Sequence, residues 1–149
     1  MDQSNQVVER GARRCVVSST SSDSHTWNLI FLQLLLEETG YQVTNLGSCV
    51  PDQLLVDECR LDRPDLLVLS SVNGHGFHDG LRVVGQLRKE PDLEGLPIVI
   101  GGKLGIDGAD QGAARQLLAA GFDAVYQDSA EDVRAMCSFA RALSLGSAA

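Results

Sequence analysis

The sequence predicts an α/β domain of the flavodoxin-like class, a doubly wound five-stranded parallel sheet in the order 2-1-3-4-5 with helices on both faces. Three observations predict it. Short apolar, β-branched runs alternate with helical stretches, five of each, and every strand–helix–strand crossover is right-handed and must cover a sheet face. A length of 149 residues with 44% hydrophobic content suffices for one core without disulfides or structural metal, and leaves no second domain. The polar and glycine-rich stretches follow the first, third and fourth strands, whose carboxyl ends meet on one rim in this strand order.

Residues 1–13 read as a flexible polar tail, 14–144 as the domain and 145–149 as a C-terminal tail. The run 14–19 (Arg-Cys-Val-Val-Ser-Ser) is short and β-branched, as a strand covered on both faces should be. From 27 to 39 the apolar residues Leu29, Ile30, Leu32, Leu34, Leu35 and Leu36 predict a well-buried helix, with Gly40 at the C-cap position. Residues 41–46 make the second strand. Pro51 opens a helix carrying Leu54, Leu55 and Cys59, which ends ahead of Pro64. The third strand, 65–71, is the most apolar and is placed centrally; the helix at 81–89 aligns Leu81, Val84 and Leu87. A fourth strand at 97–100, a helix at 109–120 stopped by Gly121, a fifth strand at 123–126 and a closing helix at 130–144 complete the chain.

Composition narrows the partners. Net charge is −8, and Lys and Arg are scattered rather than gathered into a stripe, which argues against nucleic acid or an anionic membrane. No apolar run approaches membrane-spanning length and residues 1–13 lack a signal-peptide core, so a cytoplasmic location is expected. Cys15, Cys49, Cys59 and Cys137 fall in no C-x-x-C spacing. They are expected to be buried or half-buried thiols rather than zinc ligands or disulfide partners.

The chemistry concentrates in Ser21-Ser22-Asp23-Ser24-His25-Thr26-Trp27-Asn28, between the first strand and first helix. Two residues apart in an irregular turn, the Asp23 carboxylate can accept the His25 Nδ1–H, leaving Nε2 unprotonated and directed outward, ready to ligate a metal. The same residues fit a plainer role, with Ser22 or Asp23 capping the helix and His25 solvated. The loop from Asn73 to Gly80 is so rich in glycine that its backbone must turn through positive φ or approach something closely. Gly101-Gly102 follows the fourth strand and leads into a second loop through Gly108. Neither loop matches a dinucleotide or triphosphate cradle, and paired glycines after a buried strand fit the close approach of a large flat ligand. His75 and His78 have no carboxylate or Cys partner at ligand spacing and are expected to face solvent or ligand. Trp27 and Phe77 are expected to wall the crevice or a subunit interface.

Two other uses of the fold meet obstacles. A receiver domain needs acidic residues ending the first strand, an Asp ending the third and a Lys ending the fifth; those positions hold Ser18-Ser19-Thr20, Ser70-Ser71 and Tyr126-Gln127. A flavodoxin needs a run of hydroxyl residues followed by Gly in the first loop, and this loop lacks it.

Asp23-x-His25-x-x-Asn28, Ser70-x-Val72 and Gly101-Gly102, in that order, resemble the D-x-H-x-x-G, S-x-L, G-G signature of cobalamin-binding domains. From about residue 14 to about residue 143, the chain is similar to the small subunit of glutamate (methylaspartate) mutases. Asn28 stands in place of Gly and puts a side chain where the nucleotide tail would pass; Val72 in place of Leu is a mild volume change. The resemblance implies adenosylcobalamin bound with its own base displaced and His25 as the lower axial cobalt ligand. It implies that Asp23 orients His25, with Ser22, Ser24, Thr26 and Asn28 around the pair. Ser70, Ser71 and Val72 would then line the base pocket, with Gly101, Gly102, Lys103 and Leu104 as its far wall and Tyr126 at its border, and Gly74 would also bind the cofactor. No nucleophile with its base and no pair of catalytic carboxylates converges in the chain. The resemblance therefore implies an isomerase that is inactive alone and works with a large barrel-type catalytic subunit, two small and two large subunits together. There a 5'-deoxyadenosyl radical takes hydrogen from the substrate and its carbon skeleton rearranges. A corrinoid carrier for methyl transfer would have a helical cap domain, for which the residues before Arg14 are too few. A non-catalytic cobalamin-binding protein stays open because of Asn28.

Overall fold

The computed structural model describes residues 12–105 and 111–146. Residues 1–11 and 147–149 of the expected tails, Gly108 and the expected helix start at 109–110 lie outside the described residues. The strands are β1 (Arg13–Ser19), β2 (Tyr41–Asn45), β3 (Leu66–Ser70), β4 (Ile98–Gly102) and β5 (Ala124–Gln127). The helices are α1 (Trp27–Glu38), α2 (Asp52–Asp62), α3 (Gly76–Arg88), α4 (Gln111–Ala120) and α5 (Ala130–Gly146). All strand pairs are parallel and the order is β2-β1-β3-β4-β5, the flavodoxin-like arrangement.

Side chains alternate across the strands, so β1, β3 and β4 each feed two cores. Val16, Leu67, Leu69, Ile98 and Ile100 meet Leu55, Val56, Val83, Val84, Leu87 and Leu117 on the face of α2, α3 and α4. Cys15, Val17, Leu66, Val68 and Val99 meet Leu29, Leu36, Met136 and Ala140 on the face of α1 and α5. All five positions of β3 are buried, as its central place requires. The register aligns Ser19 with Ser70, Ser70 with Gly101 and Gly101 with Tyr126, one transverse row at the carboxyl rim.

Four local expectations are corrected. The first helix is not well buried: Leu29 and Leu36 are inside, whereas Trp27, Ile30, Phe31 and Leu34 are exposed. Apolar density overstated its burial because a helix on one sheet face can hide only one stripe. The third helix starts at Gly76 rather than 81, because the Asn73 side-chain carbonyl accepts the His75 N–H and turns the chain into the helix. Its glycines serve packing, since a Cβ at Gly76 would lie 2.8 Å from Leu104 and Ser71 side-chain atoms and one at Gly80 2.9 Å from Ile100. β4 runs on through Gly101 and Gly102. Cys15 and Cys59 are buried and Cys137 half-buried, but Cys49 is exposed.

Candidate functional site

The loop after β1 is built around a buried carboxylate. Ser19 Oγ donates to the Asp23 carbonyl at 3.1 Å, the Asp23 N–H donates to Thr20 O at 3.1 Å, and the Cys49 N–H donates to Asp23 O at 2.8 Å. The Asp23 side chain is wholly buried. Its Oδ1 accepts the His25 N–H at 2.9 Å and lies 2.7 Å from His25 Nδ1, while Oδ2 accepts the Val72 N–H at 2.6 Å. Burial pushes this carboxyl up, but the N–H groups of His25 and Val72 and the imidazole outweigh burial and hold it below the ordinary carboxylate value. The His25 side chain is 55% exposed, so the ring is fixed at Nδ1 and open elsewhere. The plainer capping role is overturned: the N-cap of α1 is Thr26, it has no side-chain cap bond, and both Asp23 oxygens are engaged with His25 and Val72.

A second set of groups, which the sequence reading missed, braces the same loop from α3. Ser22 Oγ donates to Asp79 Oδ2 at 2.5 Å, and Asn73 Nδ2 donates to Ser22 O and Oγ at 3.1 Å. Arg82 donates to Asp79 Oδ1 at 3.2 Å, to Ser21 Oγ at 2.8 Å and to Asp52 Oδ2 at 2.5 Å. Asp79 is buried; burial pushes its carboxyl up, but Ser22 and Arg82 bring it below its ordinary value. The spacing of Asp79 and Arg82, three apart on one helix, was a legible signal of their pairing, but not of their reach to Ser21 and Ser22.

A cleft of about 120 Å³, which Asn28 lines and His25 does not, opens between α1, α5 and the carboxyl ends of β3, β4 and β5. Asn28, Ser70, Val72, Gly101, Gly102 and Tyr126 line it over a floor of Leu32, Val68, Val99 and Met136. Ser24 and Thr26 flank His25 in the exposed loop. Ser71 turns away, its Oγ 3.2 Å from Asn73 Oδ1, and Leu104 packs in the α3-side core, so neither lines the cleft. Lys103 is exposed and also outside the cleft lining, and Gly74 turns at φ 89° in the loop before α3. Gly102 is required by the chain itself: its φ is 113°, and a Cβ there would lie 2.3 Å from Ser71 O. Trp27 is 81% exposed beside His25, whereas Phe77 packs against the core with its ring edge-on to His78. Among the described residues no group of three His, Cys, Asp or Glu side chains gathers to hold a metal. A single oriented imidazole matches a metal whose other positions are filled by a macrocycle.

The B12 binding domain model matches residues 13–138, and the chain belongs to that family. Among curated relatives, the glutamate mutase sigma subunit of Treponema denticola is 30% identical over 117 residues, covering 76% of this chain and 81% of that protein. The HTH-type transcriptional repressor CarA of Myxococcus xanthus is 30% identical over 125 residues, 83% of this chain but 40% of the repressor. A solved cobalamin-binding protein from Desulfitobacterium hafniense shares the fold at a TM-score of 0.70 and 22% identity; the match covers 87% of this chain and 59% of that one.

The residues present fit a cobalamin. His25 offers an imidazole with Nδ1 already engaged, the cleft lined by Asn28 and Val72 is apolar at its floor, and Asn28 Oδ1 is a buried acceptor without a partner.

Proposed function

We propose that this chain is the cobalamin-binding subunit of an adenosylcobalamin-dependent carbon-skeleton mutase of the glutamate mutase type, with His25 as lower axial ligand to a base-off cofactor. The carrying observation is the 2.7 Å contact between His25 Nδ1 and a buried Asp23 that is itself held by Val72. That contact fixes the tautomer with Nε2 unprotonated and raises its donor strength. Ser70, Val72, Gly101, Gly102 and Tyr126 would hold the displaced base in the cleft, while the α3 brace through Ser22 keeps the loop in place. The bound cofactor supplies radical chemistry, and the substrate site belongs to a large barrel-type partner, two copies of each subunit forming the enzyme. In support of a partner, Trp27, Ile30, Phe31 and Leu34 form an exposed apolar stripe on α1 starting two residues from His25. The partner shields the reacting centre from water.

Titration of the purified chain with hydroxocobalamin, followed by absorbance, tests this. The wild type gives a base-off, His-ligated spectrum, and His25→Ala abolishes it. Unchanged binding and spectrum in His25→Ala would remove the assignment, and methyl transfer in place of glutamate rearrangement by the assembled complex would replace the mutase with a corrinoid carrier.

A further inference from the structure

Asn28 occupies the first turn of α1 and lines the cleft. Its Nδ2 donates to Ser70 Oγ at 2.6 Å, which folds the amide against the end of β3. The other end of the amide, Oδ1, is buried and has no hydrogen-bond partner. Buried polar atoms in folded proteins are almost always paired, and an unpaired acceptor in a ligand cleft marks the place of a donor that arrives with the ligand.

Resting on the cobalamin reading above, we propose that Asn28 is a specificity-determining residue whose Oδ1 accepts a hydrogen bond from an N–H or O–H donor on the nucleotide tail. The residue that would obstruct the tail thereby becomes one of its contacts, because the bond to Ser70 turns the amide aside. The tail has two sources of such a donor. A dimethylbenzimidazole base is alkylated on one ring nitrogen and unprotonated on the other, so the nucleotide of cobalamin offers only ribose hydroxyls; the amide N–H of the linker that carries it is present in cobinamide too. A cobamide with an aminopurine base adds an exocyclic N–H.

The test compares dissociation constants for wild type, Asn28→Leu and Asn28→Ala, by absorbance titration with cobinamide, which lacks the nucleotide, with hydroxocobalamin and with the adeninyl cobamide. Both variants should lose about 3- to 10-fold in affinity for the nucleotide-bearing corrinoids, the scale of one neutral hydrogen bond, and keep the wild-type affinity for cobinamide. Equal losses for the two nucleotide-bearing forms assign the donor to the ribose; a larger loss for the adeninyl form assigns it to the base. Unchanged affinities, or an equal loss for cobinamide, would overturn the role of Asn28. Failure of the wild type to bind any of the three would instead overturn the cobalamin reading.

Discussion

Replacing Asp23 by Asn changes one oxygen to an NH₂ group at the centre of the loop. The carboxylate accepts three N–H groups, from the His25 backbone at 2.9 Å, the Val72 backbone at 2.6 Å and the imidazole at 2.7 Å. An amide has one acceptor end. With its oxygen toward Val72, the NH₂ faces both His25 groups, and the imidazole keeps its contact only by moving its proton to Nε2. An Nε2–H has no lone pair for a metal. With the amide turned over, the NH₂ meets the Val72 N–H donor to donor. Hydrogen bonds to a charged group contribute about 1.5–3 kcal/mol and an unsatisfied buried donor costs about 1–3 kcal/mol. A net loss of about 2–4 kcal/mol follows, inside the roughly 5–15 kcal/mol that holds a domain of this size together. The variant should fold, with Tm lower by about 4–16 °C and affinity for cobalamin in the His-ligated form lower by about 10- to 100-fold. Circular dichroism melts and hydroxocobalamin titration, run on the same preparations, read both effects. A variant with wild-type Tm and a wild-type His-ligated spectrum would refute the orienting role of the carboxylate.

Acid should loosen the site. Asp23 and Asp79 both sit below their ordinary values in the folded chain, so the stability they contribute is complete above about pH 4 and is lost as pH falls through the depressed folded values. Melts between pH 7 and pH 2 should show this fall, and Asp79→Asn should flatten it. Gly102→Ala forces a Cβ to 2.3 Å from Ser71 O at a φ of 113°, so denaturant unfolding should show a loss of about 3 kcal/mol or more. A fully stable Gly102→Ala would mean the β4 exit can rearrange.

The strand–helix alternation and the polar rim were legible because each rests on local pattern: apolar β-branched runs, helical spacing between them, and oddities clustered after β1, β3 and β4; the strand order is the default for five such units. The Asp23–His25 pair was legible for the same reason, its partners lying two residues apart. The groups that fix the pair come from elsewhere. Val72 and Cys49 supply N–H groups, and the Asp79–Arg82 brace reaches Ser21 and Ser22 across more than 50 residues of chain. On composition the paired glycines after β4 fit ligand approach and Gly76 a turn or a close approach, whereas a Cβ at 102 would meet the Ser71 carbonyl and one at 76 the Leu104 and Ser71 side chains. One sequence gives no pairing of that kind. The exposure of Trp27, Ile30, Phe31 and Leu34 escaped for a related reason: a helix apolar nearly all round has no polar face to show which side is covered.

The two walls of the rim differ in how their polar groups are used. Where the β1–α1 loop meets β3 and α3, Asp23, Ser22, Asn73, Asp79 and Arg82 all have partners within the chain before any ligand arrives. On the α1 side, His25 is open beyond Nδ1, Thr26 makes no cap bond and Asn28 Oδ1 has no partner. Hydrogen-bonding capacity left over in a folded chain is costly unless a ligand takes it up. Such capacity is found at His25 and Asn28, three residues apart at the start of α1, and at Thr20 Oγ1 just after β1. Under the proposed function, a corrinoid would meet an imidazole already oriented at Nδ1 and an amide oxygen that gains its partner on binding.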